Sequence, residues 1–222
     1  MDYAVENQRM RTLDAYNMRL PQGELVSRWE LPQLLPVAAQ PPDDLISFNV
    51  AMSSKTTNVG VHFFIDDYQF ERVWRAPQRY VARLRQFQAV CTPDFSTYTD
   101  MPLPMQLWNV YRSRAIGTFW QTEGMNVIPT LQWADVETLD WCFEGLPKHS
   151  MLAVSSLGVR NDSHAEALWR AGMGEALRVL EPELVLLHGS ELEDFDWKGV
   201  AVERYTDHIK ERLEKLNGRK RK

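Results

Sequence analysis

Short runs of nearly continuous apolar residues recur along this chain, and segments with apolar residues at helical spacing follow them. The runs are Val61–Ile65 (VHFFI), Ala89–Cys91 (AVC), Asn126–Thr130 (NVIPT), Met151–Ser155 (MLAVS) and Leu184–Leu187 (LVLL). Runs this short and this apolar read as strands buried on both faces, the habit of parallel sheets. Between them, Phe70, Val73, Trp74, Tyr80, Val81, Leu84 and Phe87 fall on one helical face. Pro77 predicts a break near Ala76 and a second helix with the proline in its first turn. A helix is predicted from about Pro104 to Gln121, ended by Gly124 in a left-handed cap. Another starts at Ser163-His164-Ala165-Glu166, which has the form of a capping box, and stops at Glu181-Pro182. A short helix over Val136–Phe143, strands over Leu45–Met52 and Val200–Val202, and a terminal helix near residues 206–216 complete the prediction.

Parallel strands need crossovers, and the helices supply them. The fold class is therefore α/β, with parallel strands alternating with helices. Six or seven strands fall short of a closed eight-fold barrel. The expectation is an incomplete or distorted TIM-like barrel, with an open doubly wound sheet as the alternative. Residues 1–44 differ from the rest: Pro21, Pro32, Pro36, Pro41 and Pro42 interrupt any long element. They are read as an N-terminal arm, with Asn7–Leu20 a short helix and Leu31–Val37 a strap packed by its leucines. Residues 45–217 form a single α/β domain, and 218–222 a basic tail.

The net charge of -5 argues against a surface that binds nucleic acid all over. It leaves room for a local basic face, for which the arginines of 72–85 and the tail are candidates. Cys91 and Cys142 sit in apolar settings and are expected as buried free thiols in a reducing cytoplasm. The first ten residues have no signal-peptide pattern and no segment is apolar enough to cross a bilayer, so a cytoplasmic protein without membrane contact is expected.

Parallel strands gather their carboxyl ends on one face, where α/β proteins keep ligands. The residues just after each predicted strand there are Asp66 and Asp67; Thr92, Asp94 and Ser96; Thr130 and Trp133; Ser155 and Ser156; His188 and Ser190; and Glu203. Asp66, Asp94 and His188 are the candidate catalytic groups, because a nucleophilic water needs a proton acceptor or a cation beside it. Asp67, Thr92, Ser96, Asn109, Arg112, Thr130, Trp133, Ser155 and Ser190 are candidate ligand contacts. Arg112 would clamp an anion and Trp133 would stack on a base. The aspartates together could hold a divalent cation such as magnesium. Structural roles compete: Asp67 as N-cap of the Phe70 helix, Asp94 in an Asx turn, Asp100 as cap of the helix after Pro102, the serines as turn residues, Trp133 as core, and Arg112 and Arg114 as solvated or helix-bridging cations. Gln106, Asn109, Ser113 and Gly117 make a polar-to-small stripe, fit for a close helix or a polar cavity. Phosphate-loop, dinucleotide, nucleophile-elbow and zinc signatures are absent.

The strings HFFIDDYQFERVW (62–74), TPDFSTYTDMP (92–102), QLWNVYRSRAIGTFWQ (106–121) and VIPTLQW (127–133) resemble those of an uncharacterised domain family of bacteria, phages and mobile elements. MLAVSSLGV (151–159) and LVLLHGS (184–190) fit it too, so the resemblance spans about Leu45–Tyr205. It implies a shared fold and brings no assigned activity. Its setting suggests, by association, dealings with nucleic acid or host defence. Two hypotheses follow. In one, the strand-end face is an enzyme site for a nucleotide or other phosphorylated ligand. In the other, the protein is a non-catalytic adaptor whose proline-rich arm and arginine-rich helix engage a protein or nucleic-acid partner.

Overall fold

The computed structural model describes residues 14–206. Seven short strands carry the architecture: β3 (Leu45–Ser47), β4 (Gly60–His62), β5 (Ala89–Cys91), β6 (Val127–Ile128), β7 (Met151–Ser155), β8 (Leu184–His188) and β9 (Ala201–Tyr205). β3 to β6 pair in parallel in chain order, and so do β7 to β9. A parallel bridge between Thr130 and Ala153 joins the two sets, with Leu131 N donating to the Ala153 carbonyl at 2.8 Å and Ala153 N to that of Pro129 at 2.9 Å. The α/β class with parallel strands alternating with helices is thus as the sequence predicts.

Strand residues alternate between faces, and the core divides accordingly. Leu45, Phe64, Ala89, Cys91, Ile128, Met151, Ala153, Leu184, Leu186 and Tyr205 form one cluster drawn from every strand region and from no described helix. Their alternates face the helices. Val61, Phe63, Val90 and Val127 pack with Phe70, Val73, Leu84, Ile116 and Trp120. Leu152, Val154, Val185 and Leu187 pack with Trp169, Met173 and Leu177. The sheet is therefore curled, with its inner face packed on itself: His62 on β4 and His188 on β8 meet with ring centroids 4.2 Å apart. It stays open, since no ladder pairs β9 with β3 among the described residues. The Tyr205 hydroxyl donates to the Pro42 carbonyl at 2.6 Å across that opening.

The helices are α1 (Phe48–Ala51), α2 (Glu71–Arg75), α3 (Gln78–Leu84), α4 (Leu103–Thr122) and α5 (Ser163–Leu180). α2 and α3 break at Ala76, with Pro77 at the start of α3, and Gly124 takes φ +74 just beyond α4. Both match the sequence reading. Three local expectations are corrected. The predicted strand at 45–52 turns helical after Ser47, because Phe48 and Ala51, three residues apart, are both fully buried on one face. The cap of α5 is Asp162, whose carboxylate accepts from His164 N at 2.9 Å and Ala165 N at 3.1 Å; Ser163 is inside the helix and Glu166 pairs with Arg170 instead. The expected helix near 136–143 is a 3₁₀ turn over Val136–Asp140, capped by Asp135.

A small antiparallel hairpin, β1 (Leu25–Val26) and β2 (Leu31–Pro32), leads into a strap across α4. Leu31 and Leu34 are buried, and Leu35 exchanges hydrogen bonds with the Gln121 amide through its N–H and its carbonyl. Val37 N donates to Ser150 Oγ at 2.9 Å, which ties the strap to the start of β7. The first half of the predicted helix at 7–20 lies outside the described residues, and its second half is a short helical stretch running into a turn; the terminal helix and basic tail lie almost wholly outside them. Cys91 and Cys142 are buried and free. No helix among the described residues is long and apolar enough to cross a membrane.

Candidate functional site

Beyond the carboxyl ends of β4 to β7 lies a cavity of about 510 Å³, large enough for a small organic ligand. Its walls come from residues 64–66, the loop 94–98, residues 131–134, the end of β7 and the first turns of α5. Asp66, Asp94, Ser96, Trp133 and Ser155, five residues that the sequence singles out, line it together.

The loop after β5 has no regular structure, yet side chains hold it from both sides. Asp67 accepts from Ser96 N at 3.0 Å and from Ser96 Oγ at 2.8 Å. Asn109 donates to the Ser96 carbonyl at 2.6 Å, and Gln106 to those of Tyr98 and Met101. Thr97 Oγ1 donates to the Trp133 carbonyl at 2.9 Å. Gln106 and Asn109 of the polar stripe of α4 therefore face this loop. At Gly117 the fit is so close that an added Cβ would lie 2.6 Å from Thr92 Cγ2. Such bracing holds the loop that begins at Asp94.

Asp94 is partly buried in the cavity wall. Burial pushes its carboxyl up to about 7, and repulsion from Asp67 adds to the rise. Asp66 is exposed at the rim and accepts from Gln69 Nε2 at 3.2 Å. Among the described residues, none that lines the cavity is basic. Trp133 sits between the cavity and α5, its Nε1 donating to the Leu168 carbonyl at 3.1 Å. Its ring abuts Gly172, where a Cβ would come within 2.5 Å of Cδ2 and closer still to the neighbouring ring atoms.

The other sequence candidates lie elsewhere. Asp67 does not cap the Phe70 helix; it ties the loop, a pairing across 29 residues that no local pattern announces. Thr92 and Thr130 satisfy one another, Thr130 N donating to Thr92 Oγ1 and Thr130 Oγ1 to the Thr92 carbonyl, both at 2.9 Å. Arg112 faces Glu71, which it grips with Nη1 at 3.0 and 2.8 Å, while its guanidinium carbon sits 3.8 Å from the Phe95 ring centroid. It is neither solvated nor directed at the cavity. Arg114 is fully buried, donating to the carbonyls of Thr130 and Cys142, and burial lowers it to about 10. Asp100 caps nothing, for α4 has no side-chain cap. His188 is buried, stacked on Phe64, which lines the cavity; it stands behind that wall, paired in register with Ser155. The Ser190 carbonyl accepts from Ser156 Oγ at 2.6 Å. No group of three or more metal-ligating side chains occurs among the described residues.

Phe64, Gln132, Tyr98 and Trp169, which are not among the sequence candidates, also line the cavity. The period of two in HFF would have placed Phe64 inward with His62. The rule that the first turns of a crossover helix lie over the strand ends would have flagged Trp169. Of the arginines in 72–85, Arg83 donates to the carbonyls of Ala51 and Ser54, and Arg85 pairs with Glu123 at 2.6 Å, so part of that basic stretch is spent within the fold.

The family described as domain of unknown function DUF4417 matches residues 23–206. The chain is similar to a "Gene 1 protein" of Mycobacterium phage L5, 41% identical over 179 residues that make up 79% of this chain and 77% of the relative. It is similar also to a "Gene 1 protein" of Mycobacterium phage D29, 42% identical over 166 residues, 73% of this chain and 61% of the relative. No solved structure matches.

Proposed function

We propose, for a chain that belongs to the DUF4417 family, that the strand-end cavity is a binding site for a small polar ligand and that Asp94 is its proton-exchanging group. The observation that carries this reading is the position of Asp94: a carboxyl in the cavity wall, held by a braced loop, with burial bringing it to about 7. A group that is half protonated near neutrality can both accept and donate a proton, the requirement for general acid–base chemistry. Stability is given up to keep a carboxyl so placed, a recurrent feature of functional sites. Asp66 at the rim and the Trp133 wall supply a second acceptor and a flat apolar surface. A nucleoside suits this cavity better than a phosphate does, because Arg112 is committed to Glu71 and the lining holds carboxylates without cations. A phosphorylated ligand would need a divalent cation between its phosphate and the aspartates.

The test is thermal unfolding of the wild type, Asp94→Asn and Trp133→Leu against a collection of small polar metabolites. At least one compound should raise the wild-type Tm with increasing concentration and leave both variants unmoved. If every stabilising compound acts equally on all three proteins, the cavity is not the site.

A further inference from the structure

The cavity is not evenly polar: its donors are largely committed, while its acceptors keep free capacity. Ser96 Oγ donates to Asp67, Thr97 Oγ1 to the Trp133 carbonyl, Trp133 Nε1 to the Leu168 carbonyl and Trp169 Nε1 to the Ser155 carbonyl. The hydroxyls of Ser155 and of the exposed Tyr98, with Asp94 in its protonated form, are what remains on the donor side. On the acceptor side stand the Asp94 carboxyl, the Asp66 carboxylate oxygen that Gln69 leaves free, and one amide oxygen. Gln132, 3% exposed, donates Nε2 to the Phe95 carbonyl at 2.6 Å, which fixes the orientation of its amide. Its buried Oε1 has no hydrogen-bond partner among the described residues. A buried acceptor left without a donor is costly, and such exceptions call for an explanation.

We infer that the cavity takes a ligand presenting paired N–H donors on a planar group, as a guanidino compound or an amino-bearing nucleobase does, with Gln132 Oε1 as a specificity-determining acceptor. This rests on the reading of the cavity as a ligand site. A carboxylate meets a planar N–H pair with two parallel hydrogen bonds. The Trp133 indole, backed by Gly172 on α5, offers a surface on which a flat donor group stacks, more favourably still if it is cationic. An anion would face the Asp66 carboxylate and an Asp94 that is ionised part of the time, with no basic residue in the lining to offset them.

Agmatine, guanosine, benzoate and guanosine 5′-monophosphate are titrated separately into the full chain, followed by calorimetry and tryptophan fluorescence. Saturable binding of agmatine or guanosine is expected, the two probes distinguishing a guanidino source from a nucleobase source. Benzoate should not bind, and the monophosphate should bind more weakly than guanosine. Asp94→Asn should weaken the bound probe about ten-fold or more, and Gln132→Leu about five-fold. Asp66→Asn, at an exposed position, should weaken it about two- to five-fold without touching the core. The inference falls if neither donor probe binds, or if binding is the same in the Asp94→Asn and Asp66→Asn variants. Benzoate binding that Trp133→Leu abolishes would overturn the donor class while leaving the cavity as a site. Loss of both would require that result to be absent and the metabolite series to fail as well.

Discussion

Two glycines in one helix make a sharp test of the wall that Trp133 forms. Gly172 and Gly174 both lie in α5, two residues apart, and in a helix each costs up to about 1 kcal/mol relative to alanine. At Gly174 an added Cβ meets nothing within 4 Å, so Gly174→Ala should stabilise the protein by about 0.5–1 kcal/mol. At Gly172 the added Cβ would lie 2.5 Å from Trp133 Cδ2, with two further ring atoms nearer. Carbon atoms rest about 3.5–4.0 Å apart, so the indole or the helix must retreat by at least about 1 Å. Overpacking of this kind costs about 1–3 kcal/mol. Set against the helix-propensity gain, Gly172→Ala should be neutral to about 2 kcal/mol destabilising. The two alanine variants should differ by about 1–3 kcal/mol, roughly 2–12 °C in Tm for a domain this size. Urea unfolding followed by tryptophan fluorescence measures the difference. Near-ultraviolet circular dichroism should change for Gly172→Ala alone. Equal stabilisation by both substitutions would mean that Trp133 does not pack on α5 and that the cavity wall is misplaced.

Other consequences concern charges and caps. In the unfolded chain Asp94 titrates near 3.9, whereas in the fold burial holds it at about 7; the native state therefore keeps a proton that the unfolded chain has lost. Stability should fall as pH rises from about 4 to about 7 and then level off. Asp94→Asn should remove that slope, leaving the variant close to wild type at pH 4–5 and, allowing for partial exposure, on the order of 1–2 kcal/mol more stable at pH 8; urea midpoints across this range check it. Arg112→Ala leaves Glu71 without its partner and uncovers Phe95, for a loss of about 2–4 kcal/mol, and Arg112→Lys should recover part of it; a loss under about 0.5 kcal/mol would deny the pair a structural role. Asp162→Ala should cost about 1 kcal/mol and Ser163→Ala much less, because the aspartate holds the cap; the reverse order in thermal unfolding would restore the capping box.

What was legible in the sequence is what depends on near neighbours. Val61–Phe64, Val90, Leu152–Val154 and Val185–Leu187 announce buried strands because every residue of such a strand meets apolar atoms. Pro77 and Gly124 act through their own backbone, so the break before α3 and the end of α4 could be placed. From there the parallel topology brings Asp66, Asp94, Ser96, Trp133 and Ser155 around one cavity. What failed needed distant partners. Asp67 and Ser96 are 29 residues apart, and Glu71 and Arg112 are 41 apart; nothing local distinguishes a capping carboxylate from a tie, or a free guanidinium from a paired one. The α5 cap was misplaced for a subtler reason. The Ser-x-x-Glu pattern is present, but Asp162 stands one residue earlier, and Glu166 goes to Arg170.

The proposed site depends on a carboxyl in the strand-end cavity that changes charge near neutrality. Carbon-13 resonances of labelled aspartate side chains, followed from pH 3 to pH 9, report this directly. One resonance should titrate near 7, vanish in Asp94→Asn, and move to lower pH in Asp67→Asn as the neighbouring repulsion is removed. If every aspartate titrates below about 5, close to its unfolded value, Asp94 is an ordinary solvated carboxylate and the cavity has no proton-exchanging group.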